Sequence, residues 1–245
     1  MCKDDSSFTD QRMDPINMDS LKETVFQANL DLVRHHLVLF TWGNVSAVDR
    51  EKGIVAIKPS GVSYDQMRPE QMVLLDLEGN LIQGELKPSS DTPTHLVLYR
   101  EFPDIKGIVH THSTYATAWA QAQRDIPAIG TTHADYFYGS IPCTRSLSPS
   151  EIAREYEKET GNVIVECFRQ REISPVSVPG VLVANHGSFA FGQSAPDAVH
   201  NAVVLEEVAK IGIYSFLLNP ELPMNQHLVE KHFTRKHGSN AYYGQ

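Results

Sequence analysis

The first chemical signal in the sequence is a pair of histidines, His110 and His112, with one residue between them. On a β-strand, side chains two positions apart point to the same side, so both imidazoles can reach one metal ion. Two hydrogen-bonded structural histidines account for the same spacing, and His-x-His alone leaves both interpretations open. A third histidine, His186, follows an apolar run and precedes a glycine, where a side chain emerges from a core. Three histidines at strand ends favour a catalytic metal site with one open coordination position.

The second signal is a set of turns suited to binding a small anion. Residues 58–61 (KPSG) offer an ammonium, a hydroxyl and an unhindered backbone N–H. Residues 89–93 (SSDTP) lead into a helix start, where free N–H groups and the helix dipole favour negative charge. Residues 43–44 (GN) add a turn with an amide donor. Each segment alone is also an ordinary turn or cap, but together they predict a small phosphate-binding site.

Several other polar residues admit two interpretations each. Asp91 stands at a helix start, where a carboxylate usually interacts with the helix dipole, but beside a metal it is a candidate ligand or base. Asp135 lies in a loop, where a solvated carboxylate is the ordinary interpretation. His232 and Arg235 share one face of the last predicted helix, which is commonly a solvated surface. Tyr243 follows another tyrosine and is expected to dock on the chain's own core or on a neighbouring subunit.

The composition excludes several classes of protein. The chain has 245 residues and a net charge of −9 without any basic run, which argues against a nucleic-acid partner. No uninterrupted apolar stretch reaches the ~20 residues of a membrane helix, so no membrane partner is expected. Three cysteines form no disulfide framework and match no zinc-binding spacing. The N-terminus is polar and acidic rather than a signal peptide, so we expect a soluble, cytoplasmic protein.

The elements that must position these residues follow from capping and turn signals. Ser20 and Glu23 form a capping-box pattern before an amphipathic helix, and a second box at Ser148 begins a helix to about residue 160. Residues 45–48 and 54–58 form one predicted hairpin, and residues 73–77 and 81–82 form another. Further strands are predicted at residues 107–112 and 180–185. Further helices are predicted to begin at residues 92, 115, 162, 194 and 225, the last ending at Gly238 as a left-handed cap.

Hairpins dominate the predicted strand connections, and strict alternation of strands and helices is missing. The pattern therefore predicts a single α/β domain of α+β-like character, with a central, largely antiparallel β-sheet flanked by helices. A doubly wound parallel sheet is disfavoured. Residues 1–18 lack periodicity and are expected to be a flexible leader, whereas residues 19–245 form the expected catalytic domain.

Six segments together resemble the class II aldolase/adducin family: residues 41–46 (TWGNVS), 58–61 (KPSG), 89–92 (SSDT), 110–112 (HTH), 130–139 (GTTHADYFYG) and the terminal 241–245 (AYYGQ). The resemblance runs from about residue 19 to the end of the chain. It implies a class II aldolase-like fold and a metal-dependent enzyme of the zinc type, with Mn²⁺ and Co²⁺ as alternatives. Within the family, Asp91 matches the epimerases of ketopentose phosphates, since the related aldolases are expected to carry Glu at that position.

The resemblance implies inversion of a hydroxyl-bearing carbon by retro-aldol cleavage, rotation of the aldehyde and re-formation of the carbon–carbon bond. It assigns as metal ligands Asp91, His110, His112 and His186. It assigns to the substrate and its phosphate Gly43, Asn44, Lys58, Ser60, Gly61, Ser89, Ser90 and Arg235. It assigns to catalysis Asp135, Tyr243 and His232, with the first two on opposite faces of the aldehyde and contributed by the adjacent subunit. The family pattern therefore also implies a homotetramer with active sites at subunit interfaces and a small sugar-phosphate substrate.

Two other functions stay open on the sequence. A class II sugar-phosphate aldolase or lyase, of the fuculose- or rhamnulose-phosphate type, would share the fold and the metal but release the aldehyde. A non-catalytic, adducin-like module would keep the fold without the metal chemistry. The presence of all three histidines and of the phosphate turns disfavours that last function.

Overall fold

A seven-stranded antiparallel sheet carries the residues singled out above. The computed structural model describes residues 15–222, 225–238 and 241–242. The strands lie in the order β4-β3-β2-β1-β5-β7-β6, and every neighbouring pair is antiparallel. Their bounds are β1 (Asn44–Asp49), β2 (Ile54–Ile57), β3 (Val73–Asp76), β4 (Leu81–Gln83), β5 (Gly107–Thr111), β6 (Gly180–Val183) and β7 (Gly187–Gly192). The prediction of a single α/β domain with a largely antiparallel sheet is confirmed.

Helices cover both faces of this sheet. They are α1 (Pro15–Arg34), α2 (Thr92–Glu101), α3 (Thr114–Gln121), α4 (Thr131–Ala134), α5 (Pro149–Ala153), α6 (Tyr156–Gln170), α7 (Ala195–Leu218) and α8 (Gln226–His237). One face packs on α1 and α7 through a core that includes Val25 and Ala198. The other packs on α2 and α6 through a core that includes Leu98 and Phe168. A third cluster around Trp119 joins α3 to α7, so the strand ends that carry the site are held by buried apolar layers.

Both predicted hairpins are present, but strand β7 was not predicted. Its sequence, GSFAFG, begins and ends with glycine, which is typical of a loop. In the fold, Phe189 and Phe191 pack toward α2 and α6, whereas Ala190 packs toward α1 and α7. Gly192 is needed for packing, because a Cβ there would lie 2.3 Å from the backbone nitrogen of Ala198. The side chains of β7 therefore alternate between the two faces of the sheet, as in any strand. Its glycines allow neighbouring backbone to approach closely.

Two predicted helix starts are wrong. Helix α1 begins at Pro15, so the capping-box pattern at Ser20 lies inside the helix. Proline suits the first turn of a helix, because its missing N–H would have no intrahelical partner there. The second capping box is present at Ser148, but its helix ends at Ala153 and a separate helix begins at Tyr156. Helix α6 therefore begins six residues before its predicted start at residue 162.

Two helix caps also differ from prediction. Thr92 followed by proline is typical of a cap and a first helical residue, but the N-cap of α2 is Asp91 and the helix begins at Thr92. Gly238 follows α8 as predicted, but its φ of −74° is extended rather than left-handed. Residues 1–14 lie outside the described residues, and the division into a leader of residues 1–18 and a domain of residues 19–245 stays a prediction. None of the described helices combines the length and apolar character that a membrane crossing requires.

Candidate active site

The three predicted histidines meet at one end of the sheet. Their candidate ligand atoms all lie within 4.8 Å of one another. The Nε2 atoms of His110 and His112 are 3.1 Å apart, and the ring of His186 lies 4.8 Å and 4.9 Å from the other two, centroid to centroid. Two nitrogens bound to one tetrahedral zinc at about 2.0–2.1 Å lie about 3.4 Å apart. The donor set therefore fits a divalent metal ion.

His110 is oriented by the strand next to its own. Its Nδ1 lies 3.0 Å from the carbonyl oxygen of Ser188 on β7, and its ring stacks on Phe189 with the centroids 4.2 Å apart. A carbonyl oxygen only accepts hydrogen bonds, so Nδ1 carries the hydrogen and Nε2 keeps its lone pair. This arrangement is the usual one for a metal-ligating histidine, in which the second nitrogen donates to a fixed acceptor.

His186 is placed by a tight hairpin between β6 and β7. Val183 pairs with Gly187 across the hairpin, which leaves three residues in the loop. Asn185 has a φ of +64°, a left-handed conformation that asparagine tolerates better than most residues. A Cβ on Gly187 would lie 2.6 Å from the carbonyl oxygen of Thr111, so β5 and β7 approach closely beside the histidines. In the tripeptide Asn-His-Gly, the asparagine turns the chain, the histidine places its imidazole at the site, and the glycine allows β5 to lie close to β7.

Burial keeps two of these imidazoles neutral. Desolvation lowers the pKa of His112, and the nearby His110 lowers it further. Desolvation lowers the pKa of His186 to about 3, with additional contributions from the other two histidines. A neutral imidazole is the form that binds metals. At pH 7 both side chains are therefore ready to act as ligands without first losing a proton.

Asp91 lies beside the histidines at the N-cap of α2. Its Oδ2 accepts a hydrogen bond of 2.7 Å from Nδ2 of Asn44. Burial opposes ionisation of this carboxyl, but the neighbouring His110 and His95 outweigh burial and lower its pKa. The side chain is therefore a carboxylate at neutral pH, which suits it to bind or orient a metal ion.

A cavity of about 560 Å³ joins the histidines to the predicted phosphate-binding turns. The sequence-predicted residues that line it are Gly43, Asn44, Lys58, Ser60, Gly61, Ser89, Ser90, Asp91, His110, His112 and His186. A bridge between Pro59 and Pro88 brings the two turns together, although they are about thirty residues apart in the chain. A larger cavity of about 740 Å³, beside the start of α7 and the end of α8, contains none of these residues.

Lys58 brings a buried positive charge to this cavity. The side chain is only 2% exposed, and its Nζ donates to the carbonyl oxygens of Pro59 and Val62. Among the described residues, no carboxylate forms an ion pair with it. Desolvation lowers its pKa to about 8. An ammonium held by neutral carbonyls at the wall of a cavity is favourably placed to receive an anion.

Asp135, His232 and Arg235 form a second cluster. Oδ1 of Asp135 accepts from Nδ1 of His232 at 3.0 Å, and the guanidinium of Arg235 donates to both carboxylate oxygens at 3.1 Å and 2.9 Å. Burial raises the pKa of Asp135, but the bonds from Arg235 and His232 outweigh it and the net shift is downward. In the described part of the chain, none of the three lines the cavity that contains the histidines. The structure therefore builds two polar sites from one set of predicted residues.

The terminal tyrosines are only partly described. Tyr243 lies outside the described residues. Tyr242 is two-thirds exposed, and its ring packs under the ammonium of Lys231 at 5.5 Å. The predicted role of Tyr243 in catalysis stays a prediction.

Tyr156 and Glu157 also line the cavity, although they lie outside every segment that the sequence assigned to the site. Both stand at the beginning of α6. The hydroxyl of Tyr156 lies 3.3 Å from Nδ1 of His186, and burial, with nearby carboxylates, raises the pKa of this tyrosine. Their sequence context is an ordinary acidic helix start, and they carry no motif. Only the packing of α6 against α2 brings them to the histidines.

Comparison with known proteins defines the class of this protein. The family described as Class II Aldolase and Adducin N-terminal domain matches residues 23–213. The chain belongs to this family, and the resemblance read from its motifs is confirmed.

Individual relatives narrow the comparison. The chain is 58% identical over 229 residues to L-ribulose-5-phosphate 4-epimerase UlaF of Salmonella paratyphi C (strain RKS4594), a match that covers 93% of this chain and 100% of the relative. The protein of the same name from Salmonella choleraesuis (strain SC-B67) gives the same values. A solved structure of L-fuculose 1-phosphate aldolase has a TM-score of 0.73 at 27% identity and covers 87% of this chain and 94% of that one.

Proposed function

We propose that this chain is a metal-dependent L-ribulose-5-phosphate 4-epimerase, an isomerase that interconverts L-ribulose 5-phosphate and D-xylulose 5-phosphate. One observation carries the proposal. The converging histidines and the anion-binding turns line a single cavity, in a chain that matches UlaF over the whole length of that relative. A sugar phosphate needs both halves of such a cavity, one for its phosphate and one for its reacting oxygens.

The phosphate end of the cavity explains how the substrate is held. Lys58 supplies a buried ammonium, and Ser60, Ser89 and Ser90 supply hydroxyl groups. Asp91, the N-cap of α2, follows Ser90 directly, and the dipole of the helix favours negative charge at this end. These residues hold the phosphate throughout the reaction. The aldehyde fragment, which carries that phosphate, is therefore retained while it turns.

The metal end explains how charge is stabilised. Three imidazoles and the carboxylate of Asp91 form a donor set typical of Zn²⁺, with Mn²⁺ and Co²⁺ as alternatives. When bound, a divalent metal supplies Lewis-acid stabilisation of the negative charge that develops on the ketose oxygens. Asn44 fixes the carboxylate of Asp91 through its hydrogen bond of 2.7 Å.

The reaction needs proton transfer on two faces of the aldehyde. Carbon 4 carries no acidic hydrogen, so the C3–C4 bond breaks as the C4 hydroxyl loses its proton. The bonding electrons form an enediolate on one fragment, and glycolaldehyde phosphate is the other. After rotation, the enediolate attacks the opposite face of the aldehyde. The aldehyde oxygen then takes up a proton and becomes the C4 hydroxyl of the product. We assign one proton transfer to the Asp135–His232 pair and the other to Tyr243.

The separation of the two polar sites supports a homotetramer with interfacial active sites. Asp135 is the C-cap of α4 and His232 lies on α8, whereas the histidines of the metal site lie at the end of β5 and in the β6–β7 hairpin. We propose that a neighbouring subunit presents Asp135, His232, Arg235 and Tyr243 to the cavity. Each site is then complete only in the assembly.

Conversion of L-ribulose 5-phosphate to D-xylulose 5-phosphate by the metal-loaded protein tests the function. We expect turnover that is abolished by a chelator and restored by Zn²⁺, Mn²⁺ or Co²⁺. Failure to convert this substrate with metal bound contradicts the proposal. The likeness to L-fuculose 1-phosphate aldolase favours a sugar-phosphate aldolase as the second candidate. That activity would release free aldehyde in proportion to turnover, which trapping detects, whereas an epimerase retains the fragment.

A further inference from the structure

Tyr156 stands between the metal site and the open cavity. It is the first residue of α6, and its hydroxyl lies 3.3 Å from Nδ1 of His186. The two rings are inclined by 31°, with their centroids 6.0 Å apart. Its side chain lines the same cavity as the histidines and the phosphate-binding turns. It therefore contacts a candidate metal ligand on one side and the substrate space on the other.

The position of Tyr156 is fixed by the packing of α6 on α2. The hydroxyl of Thr94 on α2 donates to the carbonyl oxygen of Glu157. One turn later, Gly161 allows the helices to approach so closely that a Cβ there would lie 2.8 Å from Cβ of Val97. Helix α2 also carries Asp91 as its N-cap. Tyr156 and the candidate carboxylate ligand therefore belong to one rigid pair of helices.

The direction of the bond between Tyr156 and His186 decides which nitrogen can bind a metal. If the phenol donates to Nδ1, the hydrogen of the neutral imidazole resides on Nε2, which then cannot ligate an ion. If Nδ1–H donates to the phenol oxygen, Nε2 is free. His110 provides the precedent within this site, because its Nδ1 faces a carbonyl oxygen and must donate. If His186 adopts the same tautomer, the Nε2 atoms of His110 and His186 are both free to bind the metal.

We infer that Tyr156 is a positioning residue for His186 and a binding residue for the substrate. Its oxygen accepts the Nδ1–H bond of His186 and fixes the ring and its tautomer for metal binding. Its own hydroxyl hydrogen is then directed to the cavity, where it donates to an oxygen of the bound sugar phosphate. This second part rests on the proposed function, whereas the first depends only on the metal site.

The test of the first part is Tyr156→Phe, which keeps the ring and removes the hydroxyl. Co²⁺ is titrated into the metal-free protein, with affinity measured by competition with a chelator and the ligand field by visible absorption. We expect affinity to fall about 10–100-fold, as for loss of other partners of metal-ligating histidines, with a changed Co²⁺ spectrum. Unaltered affinity and spectrum overturn the positioning role. Tyr214→Phe is the matched control, since it removes a hydroxyl that pairs with Tyr115 elsewhere.

A second measurement does not depend on a variant. Long-range ¹H–¹⁵N correlation spectra of the Zn²⁺-loaded wild-type protein report which ring nitrogen of His186 carries the hydrogen. We expect hydrogen on Nδ1, and hydrogen on Nε2 overturns the positioning role.

Kinetics at saturating metal test the substrate contact. We expect Tyr156→Phe to lower kcat/KM for L-ribulose 5-phosphate by about 5–15-fold, the effect of one lost neutral hydrogen bond of about 1–1.5 kcal/mol. An unchanged kcat/KM overturns this part. A wild-type protein that binds Co²⁺ but does not epimerise the substrate contradicts the proposed function and leaves the metal-binding result intact.

Discussion

At the scale of single residues, burial sets the charges of the cavity before any ligand arrives. It lowers the pKa of His186 to about 3 and that of Lys58 to about 8, whereas Asp91 stays ionised because of its neighbours. The sequence predicted that His110 and His112 lie together, because side chains two positions apart on a strand point to the same side. It could not predict Tyr156, since nothing in a helix start reveals which tertiary neighbour the first residue will touch.

The shifted pKa of Lys58 predicts an alkaline limit for substrate capture. Below about pH 8 the ammonium is charged and can bind the phosphate as proposed, and above it the neutral amine cannot. We expect kcat/KM to decline as the pH rises through about 8. Lys58→Met should abolish this decline of kcat/KM at high pH. It should also lower kcat/KM by about 10–100-fold, the equivalent of a charged hydrogen bond of about 1.5–3 kcal/mol. Initial rates across pH 6–10 provide the measurement, with the exposed Lys87→Met as control.

The terminal tyrosine pair offers a matched comparison. Tyr243→Phe should lower kcat by about 10²–10⁴-fold, the usual contribution of general acid–base catalysis, without loss of metal or of thermal stability. Tyr242→Phe removes the same group one residue earlier and should leave kcat unchanged. Steady-state kinetics and metal analysis on both variants decide the matter. Near-normal turnover by Tyr243→Phe would remove this residue from the mechanism.

At the scale of elements, the hairpins and most helices followed from turn and capping signals, whereas β7 did not. Glycines were interpreted as turn signals, yet Gly187 and Gly192 are required by close approach of a neighbouring backbone. Such a requirement depends on what lies opposite in the fold, which local sequence does not contain. The same strand supplies the Ser188 carbonyl that orients His110, so the missed element is part of the site.

The close approach at Gly187 can be tested directly. In Gly187→Ala the new Cβ would lie 2.6 Å from the carbonyl oxygen of Thr111, which forces β5 and β7 apart beside the histidines. We expect Co²⁺ affinity to fall at least about 10-fold and the protein to lose about 1–3 kcal/mol of stability, as for other overpacked sites. Chelator competition and thermal unfolding measure both. Gly130→Ala is the control, since a Cβ there meets nothing within 4 Å; equal behaviour of the two variants would contradict this account.

At the scale of the whole molecule, the histidine cavity and the Asp135 cluster are two separate polar sites of one chain. Residue types and spacing do not show which copy of the chain supplies a residue, and only the family resemblance predicted that Asp135 and Tyr243 reach the cavity from the adjacent subunit. Trp42, which lines the cavity, is exposed, and so are Leu39 and Phe40 just before it in the chain, as expected of a surface that another subunit covers.

Subunit mixing tests this arrangement. His112→Asn and Asp135→Asn should each be nearly inactive alone. Co-assembled from equal amounts, they should recover about a quarter of the wild-type activity, because each site draws one half from each of two neighbouring chains and half of the chains are competent for each part. Mixing after unfolding and refolding, or co-expression, gives the measurement. No recovery, with both variants shown to share oligomers, would place each complete site within one chain.

The buried ammonium of Lys58 has a thermodynamic consequence for the whole fold. The native chain encloses a positive charge whose partners among the described residues are two carbonyl oxygens and the ring of Tyr64, so dehydration of that charge lowers the stability of the fold. A bound phosphate reverses this deficit and binds the native chain alone, so occupancy and stability are linked. The linkage is strongest where the lysine is protonated, below about pH 8, and fades above it. If Lys58 holds the phosphate as proposed, the bound substrate supplies the negative charge that the fold does not place beside this ammonium.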